Sequence, residues 1–394
     1  MKPALSGWRQ IALTGSVQVS DLAVCAGSWY AVGALVAGAS GADTGPDADR
    51  QPAAWSSSDG LRWSVLPTTP RSVYGRVSRL YAVACRPTRR VMPQPSVSAP
   101  NRGPEMAALG AAIGGVHGNP RTAAWALSGG SLRELPAPFE LFGGPAALSV
   151  DRLAGGPAGW LIAGGWVTAG RGGAAAWRTT TASYVPATTP GTLASSAGEQ
   201  TVASDAAPLA AGWLVGGATT VLTGVRAGQR RPLAWRSTPA GWVRERLPVG
   251  SDPDADAVVD RLAAASDGSV FAVGTVLASD SAAGRFVLWR RENGRWGSPV
   301  TIDSTRPAKS VVPAVRSLAV SGRTIVVAAG DGARLRIWLS TDAGQGWREI
   351  GLPAGVATRD DGAARLAVAV DGRRLVVAAG SGDRGGLWST SLLV

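Results

Sequence analysis

Short apolar runs recur along the whole chain, broken by Gly, Pro and Asp turns, and none approaches the ~18 residues that a membrane-spanning helix needs. One class ends in small residues: SWYAVGALVAG at 28–38, GWLIAGGW at 159–166, GWLVGG at 212–217, SVFAVGTV at 269–276, TIVVAAG at 324–330 and RLVVAAG at 374–380. Before these come runs built on Leu and Ala: SDLAVCAG, SRLYAVAC, DRLAGG, DRLAAAS, RSLAVSG and ARLAVAVDG. After them comes a phrase in which a small or apolar pair precedes Trp, polar residues follow, and a turn leads to a second aromatic and Leu-Pro. Its clearest copy is RIWLSTDAGQGWREIGLP at 336–353. Each repeat therefore predicts a four-stranded antiparallel meander. Strand A is the Leu-Ala run, B the Val-Gly run, C carries the first Trp and D the second aromatic.

Aligned on the leading tryptophans, Trp55, Trp125, Trp177, Trp235, Trp289, Trp338 and Trp388, the chain contains seven repeats. The trailing positions are Trp63, Leu132, Tyr184, Trp242, Trp296 and Trp347, one short of seven, and SGWRQIALTG at 6–15 has the form of the missing strand, with Trp8 in the repeat position. The expected fold is all-β: one seven-bladed β-propeller over 1–394, its last blade built from about 355–394 plus 1–14. Closure by the N-terminal strand removes the two free edges that an open array would expose. A Pro/Arg-rich insertion at 86–105 falls in blade 2. Of 16 tryptophans, only Trp166 lies outside the strand register, so the tryptophans read as packing between blades rather than as carbohydrate-stacking platforms.

Composition agrees with many turns around a large core: 53 Gly, 26 Pro and a 45% hydrophobic fraction in 394 residues. The formal net charge is +12, and Lys2 and Lys309 are the only lysines among 39 basic residues. This looks like the codon bias of a GC-rich bacterial genome. A basic surface favours polyanions, but the arginines are scattered rather than clustered on one element, so nucleic acid is not the expected partner. Residues 1–10 lack the apolar core and small-residue cleavage site of a secretory leader. The chain is therefore expected to be cytoplasmic or exported with its leader removed, monomeric and not inserted in a membrane.

The turn between strands C and D carries a motif. Ser340-Thr341-Asp342-Ala343-Gly344-Gln345-Gly346-Trp347 fits S-x-D-x-G-x-x-W, and Ser57-Ser58-Asp59-Gly60-Leu61-Arg62-Trp63 is a copy one residue shorter. An Asp there accepts backbone N–H bonds across the turn, Gly takes a positive φ and Trp packs beneath. The chain resembles the BNR/Asp-box repeat propellers, a group that includes sialidases, sortilin-like receptors and bacterial assembly or adhesion propellers. The box is a folding device, so the resemblance implies a fold and no activity.

Catalytic chemistry of sialidase type needs an arginine triad, a Tyr–Glu pair and an Asp acid. The Phe-Arg-Ile-Pro segment usual to sialidases is absent, and no convergent pair of carboxylates stands out among the few glutamates. No catalytic residue is nominated. His117 is the only histidine and reads as a loop residue. Asp252, Asp254, Asp256 and Asp260 have the spacing of the calcium loops of integrin-type propellers, a candidate metal site and the only cofactor the sequence suggests. Against it, Ala257 stands where such a loop needs Gly, and Asp260 recurs as Asp151 in another Asp-Arg-Leu phrase.

A polar series lies at the start of strand A: Asp21, Arg79, Arg152, Asp205, Arg261, Arg316 and Arg365. Strand A lines the central channel of a propeller, so these side chains are expected to ring one mouth. Two readings stand: Arg–Asp pairs that hold blades together, or an anion-recognising funnel with five Arg against two Asp. Cys25 and Cys85, on strand A of blades 1 and 2, are either separate buried thiols or one disulfide, and a bridge would imply an oxidising compartment. The function these features favour is non-catalytic binding or scaffolding of a protein or glycan partner, with a sialidase-type exo-glycosidase as the alternative.

Overall fold

The computed structural model describes residues 7–36, 50–86, 105–113, 120–179, 184–187, 193–279, 284–305, 312–356, 358–360, 364–381 and 384–392. His117 and most of the 86–105 insertion lie outside the described residues. Seven antiparallel sheets follow one another around a ring, a β-propeller. The innermost strands, A, are Val17–Cys25, Arg79–Arg86, Ala147–Gly156, Glu199–Leu209, Asp256–Ala264, Ala314–Ser321 and Arg365–Asp371.

Blade 7 closes as the repeat count demands. Its strands Arg365–Asp371, Arg374–Ser381 and Arg384–Ser391 are completed by Arg9–Ile11, which pairs antiparallel with Leu387 to Ser389. Two blades depart from the plain meander. In blade 2, Thr68–Thr69 adds a parallel fifth strand on Ser131–Glu134. In blade 5 the outer strand is split, Arg295–Trp296 and Val300–Thr305 both pairing with Gly284–Glu292.

The core is divided among the blade interfaces, each filled by its own apolar cluster. Every leading tryptophan packs into the interface with the preceding blade: Trp125 against blade 1, Trp177 against blade 2, and Trp55 against blade 7 across the closure. All seven are buried. This burial between blades is the packing role expected of the leading tryptophans, and truncating one such ring typically costs about 3–5 kcal/mol.

Both Ser-x-Asp turns between strands C and D form the hydrogen bonds expected of them. Asp342 Oδ1 accepts from the Gln345 and Gly346 amides at 3.0 and 2.9 Å, while Ser340 Oγ accepts from the Gly344 amide at 2.9 Å. In the shorter copy Asp59 Oδ1 takes the Leu61 and Arg62 amides at 2.8 and 2.9 Å, and Ser57 Oγ takes Gly60. These amide bonds hold both aspartates below the usual carboxylate range. Gly344 has φ +89°, and a Cβ there would lie 2.2 Å from Leu288 Cδ2, so a side chain at this position strains the backbone and displaces Leu288. Trp347 packs at the interface of blades 5 and 6, and Trp63 at that of blades 7 and 1.

Candidate functional site in the central channel

Six of the seven inner strands carry a β-bulge at the same place, with Ser20, Tyr81, Asp151, Ser204, Asp260 and Arg316 as the extra residues. A bulge puts two residues opposite one and increases the local twist, which inserts a second side chain per blade at the channel wall. Strand B supplies the room. A Cβ on Gly33, Gly217 or Gly274 would fall 1.7–1.9 Å from the carbonyl oxygen of Gln18, Val202 or Val258, which explains the recurrent Val-Gly of that strand.

The polar series does not form a single ring. Asp21, Arg152, Arg261 and Arg316 lie at a waist shared by two cavities. Arg79 and Arg365 line only the cavity on the side where the inner strands begin, about 890 Å³, and Asp205 lines only the opposite one, about 610 Å³. The reason is register. Asp21, Arg152, Asp205 and Arg261 follow the bulge residue and Arg316 is one, whereas Arg79 precedes its bulge by two residues and blade 7 has none.

Inner strands expose an unpaired edge to the channel, and side chains of the adjoining blade satisfy it. The Val83 amide donates to Asp21 Oδ2 at 3.0 Å, Leu262 to Asp205 Oδ2 at 2.9 Å, Val315 to Asp260 Oδ2 at 2.9 Å and Val368 to Ser317 Oγ at 3.1 Å. Arginines serve the carbonyls: Arg152 Nη1 donates to Tyr81 O at 3.3 Å and Arg261 Nε to Arg316 O at 2.9 Å. Arg316 also pairs with buried Asp360 at 3.2 Å. The polar residues thus lace blades together mainly through backbone groups.

Burial is the main cause of the titration behaviour. It raises Asp21, Asp151 and Asp205 above the usual carboxylate range against nearby arginines, and pushes Asp260 up to about 6. It lowers Arg261 to about 10, with Arg152 adding repulsion.

The larger cavity is strongly basic. Arg50, Arg79, Arg152, Arg261, Arg316 and Arg365 line it against Asp21 and Asp151. Tyr81 stands in the same wall, its hydroxyl donating to Val150 O at 2.6 Å, and Ser149 Oγ donates to Asp151 at 2.7 Å. Beside it, between blades 2 and 3, runs a groove of about 580 Å³ that shares Tyr81, Ser149, Val150 and Asp151 with the cavity.

The fold has many solved counterparts. No family model matches the chain, and no curated protein sequence does. A GH74 enzyme of Niastella koreensis is similar at 16% identity and TM-score 0.51, over 98% of this chain and 53% of its own. The polysaccharide lyase Uly1 is similar at 11% identity and TM-score 0.51, over 98% of this chain and 91% of its own. YCF48 of Cyanidioschyzon merolae aligns at 13% identity and TM-score 0.48, over 98% and 99% of the two chains. At such identities the likeness establishes the propeller fold alone.

The four candidate calcium ligands disperse. Asp254 pairs with Arg226 at 2.8 Å, Asp256 with Arg230 at 2.9 Å, Asp252 accepts from the Ser279 amide at 3.1 Å, and Asp260 turns into the channel wall. Among the described residues, no three His, Cys, Asp or Glu side chains gather as a metal would require. Cys25 and Cys85 are joined in a disulfide with Cα atoms 5.5 Å apart, linking the inner strands of blades 1 and 2. No described helix is long and apolar enough to cross a membrane.

Proposed function

We propose that the chain is a non-catalytic binding propeller of the BNR/Asp-box kind whose arginine-rich channel mouth holds an anionic segment of a protein or glycan partner. The observation that carries this reading is the charge of the larger cavity, lined by six arginines against two aspartates, an excess that persists with Arg316 paired to Asp360 behind the wall. Guanidinium forks suit carboxylates and sulfates, and a recessed cavity of one sign focuses its field on an incoming anion. The disulfide supports an extracytoplasmic location.

The competing reading, a glycosidase of sialidase type, draws on Tyr81, Asp151 and the arginines sharing one cavity. That chemistry pairs its tyrosine with a glutamate, and no glutamate is among the described residues lining the cavity. Incubation with a fluorogenic sialoside and with polygalacturonate, followed for both binding and product, separates the readings. Polyanion retention without product is expected. Turnover abolished by Tyr81→Phe would overturn the non-catalytic assignment.

A further inference from the structure

The groove between blades 2 and 3 differs in chemistry from the cavity it joins. Its walls include Phe142, Leu148, Pro120, Pro145 and Ala147. At its rim Phe139 and Leu148 are 47% and 55% exposed, unusual for side chains of that size in a chain whose other aromatics mostly pack between blades. Arg121 lies with its guanidinium 4.0 Å from the Phe139 ring centroid, a cation–π contact that fixes a positive charge above the apolar floor. Tyr81, Ser149, Val150 and Asp151 line both spaces, so mouth and groove are neighbours on either side of the Tyr81–Val150 hydrogen bond.

We propose that mouth and groove form one continuous site for an extended acidic peptide segment, its carboxylates held by the mouth arginines and an adjoining apolar side chain seated against Phe142 and Leu148. This rests on the reading of the mouth as an anion site and names the class of partner. The groove favours peptide over glycan. A sugar ring needs hydrogen-bond partners for its hydroxyls and an open aromatic face, whereas this floor is mostly hydrocarbon and one face of Phe139 is taken by Arg121. An apolar side chain needs neither, and Arg121 offers a further guanidinium to a carboxylate beyond it.

The test uses three fluorescein-labelled probes of equal charge: an acidic octapeptide containing one Leu, the same peptide with Ser in place of Leu, and an oligogalacturonate. In wild type the Leu peptide should bind about ten-fold tighter than the Ser peptide, the return from burying one apolar side chain in a shallow groove. Leu148→Gln should bring the two peptides to equal affinity while leaving the Ser peptide unchanged. Arg79→Gln should weaken both by a similar factor. Equal binding of the two peptides to wild type would overturn the peptide site while leaving the anion-binding mouth intact. Preferential binding of the oligogalacturonate, weakened by Leu148→Gln, would overturn it in favour of a glycan. Failure of every probe to bind would remove the underlying mouth reading as well. Leu148 is half exposed, so folding of its variant is expected, and an unchanged melting temperature verifies it.

Discussion

Removing the apolar contacts of the closing strand should destabilise the entire ring. The strand is short, but Trp8, immediately before it, and Ile11 enter the two interfaces of blade 7. Trp8 packs on the cluster shared with blade 6 and donates its Nε1 hydrogen to Gly351 O at 2.8 Å. Ile11, 7% exposed, lies in the cluster shared with blade 1. Truncating a fully buried Trp costs about 3–5 kcal/mol and a net hydrogen bond contributes about 0.5–1.5 kcal/mol. Trp8 is only partly buried, so Trp8→Ala should cost about 2–4 kcal/mol. Ile11→Ala, at a tighter site, should cost a similar amount, about 2–4 kcal/mol. Together they approach the whole stability of an ordinary domain, about 5–15 kcal/mol. Equilibrium urea unfolding followed by tryptophan fluorescence and circular dichroism provides the assay, with exposed Gln10→Ala as a control expected within about 0.5 kcal/mol. A double variant that unfolds at the wild-type midpoint would refute the closure argument, because the edge strand Arg384–Ser391 would then not need its partner.

Four further outcomes follow from the same structure. Reducing the Cys25–Cys85 bridge, which spans 60 residues, should destabilise the fold by up to about 4 kcal/mol on the loop-entropy model, seen as a lower melting temperature in reductant and in Cys25→Ser/Cys85→Ser. Gly344→Ala should lower the melting temperature well beyond Gly351→Ala, because its φ of +89° and the Leu288 contact both resist a Cβ, whereas Gly351 meets nothing within 4 Å. Asp260 is raised from 3.8 to about 6, so its ionised form costs stability that is recovered as pH falls through 6 toward 4; thermal unfolding should show a gain over that window that Asp260→Asn reduces. Asp342 is depressed, so its contribution is present above its unfolded value of 3.8 and lost as pH falls below it; Asp342→Ala should flatten that acid limb in a pH series of melting curves.

The blades were legible because their signals are local and repeated. Each leading Trp lies on the third strand and each turn is marked by Gly, Asp or Pro, so the register of seven meanders and the closing role of Trp8 could be counted directly. The channel wall is less legible, because six of its strands break their alternation with a bulge. The signal was present: Val19-Ser20-Asp21-Leu22, Val150-Asp151-Arg152-Leu153 and Val259-Asp260-Arg261-Leu262 place two polar residues between two apolar ones, which a strand of period two does not tolerate without an insertion. That pattern marks Ser20, Asp151 and Asp260 as the inserted residues, but in blade 2 it falls on Val77-Ser78-Arg79-Leu80, whereas the bulge lies at Tyr81 between Leu80 and Ala82, so the displacement of Arg79 carries no such signal. The dispersal of Asp252, Asp254 and Asp256 had no such signal, since their partners Arg226, Arg230 and Ser279 come from other loops and strands. The basic groove contact, Arg121 over Phe139, joins the third strand of blade 2 to the short helix Phe139–Phe142 that follows that blade.

Whether the arginine mouth holds anions decides the proposed function. Isothermal titration of hexaglutamate into wild type and into Arg79→Gln/Arg365→Gln, each at low and at moderate salt, measures this directly. Wild type should show one saturable site whose affinity falls as salt rises, and the double variant should bind at least about ten-fold more weakly at an unchanged melting temperature. Equal affinity of the two proteins, or the absence of binding to wild type at low salt, would contradict the proposed function.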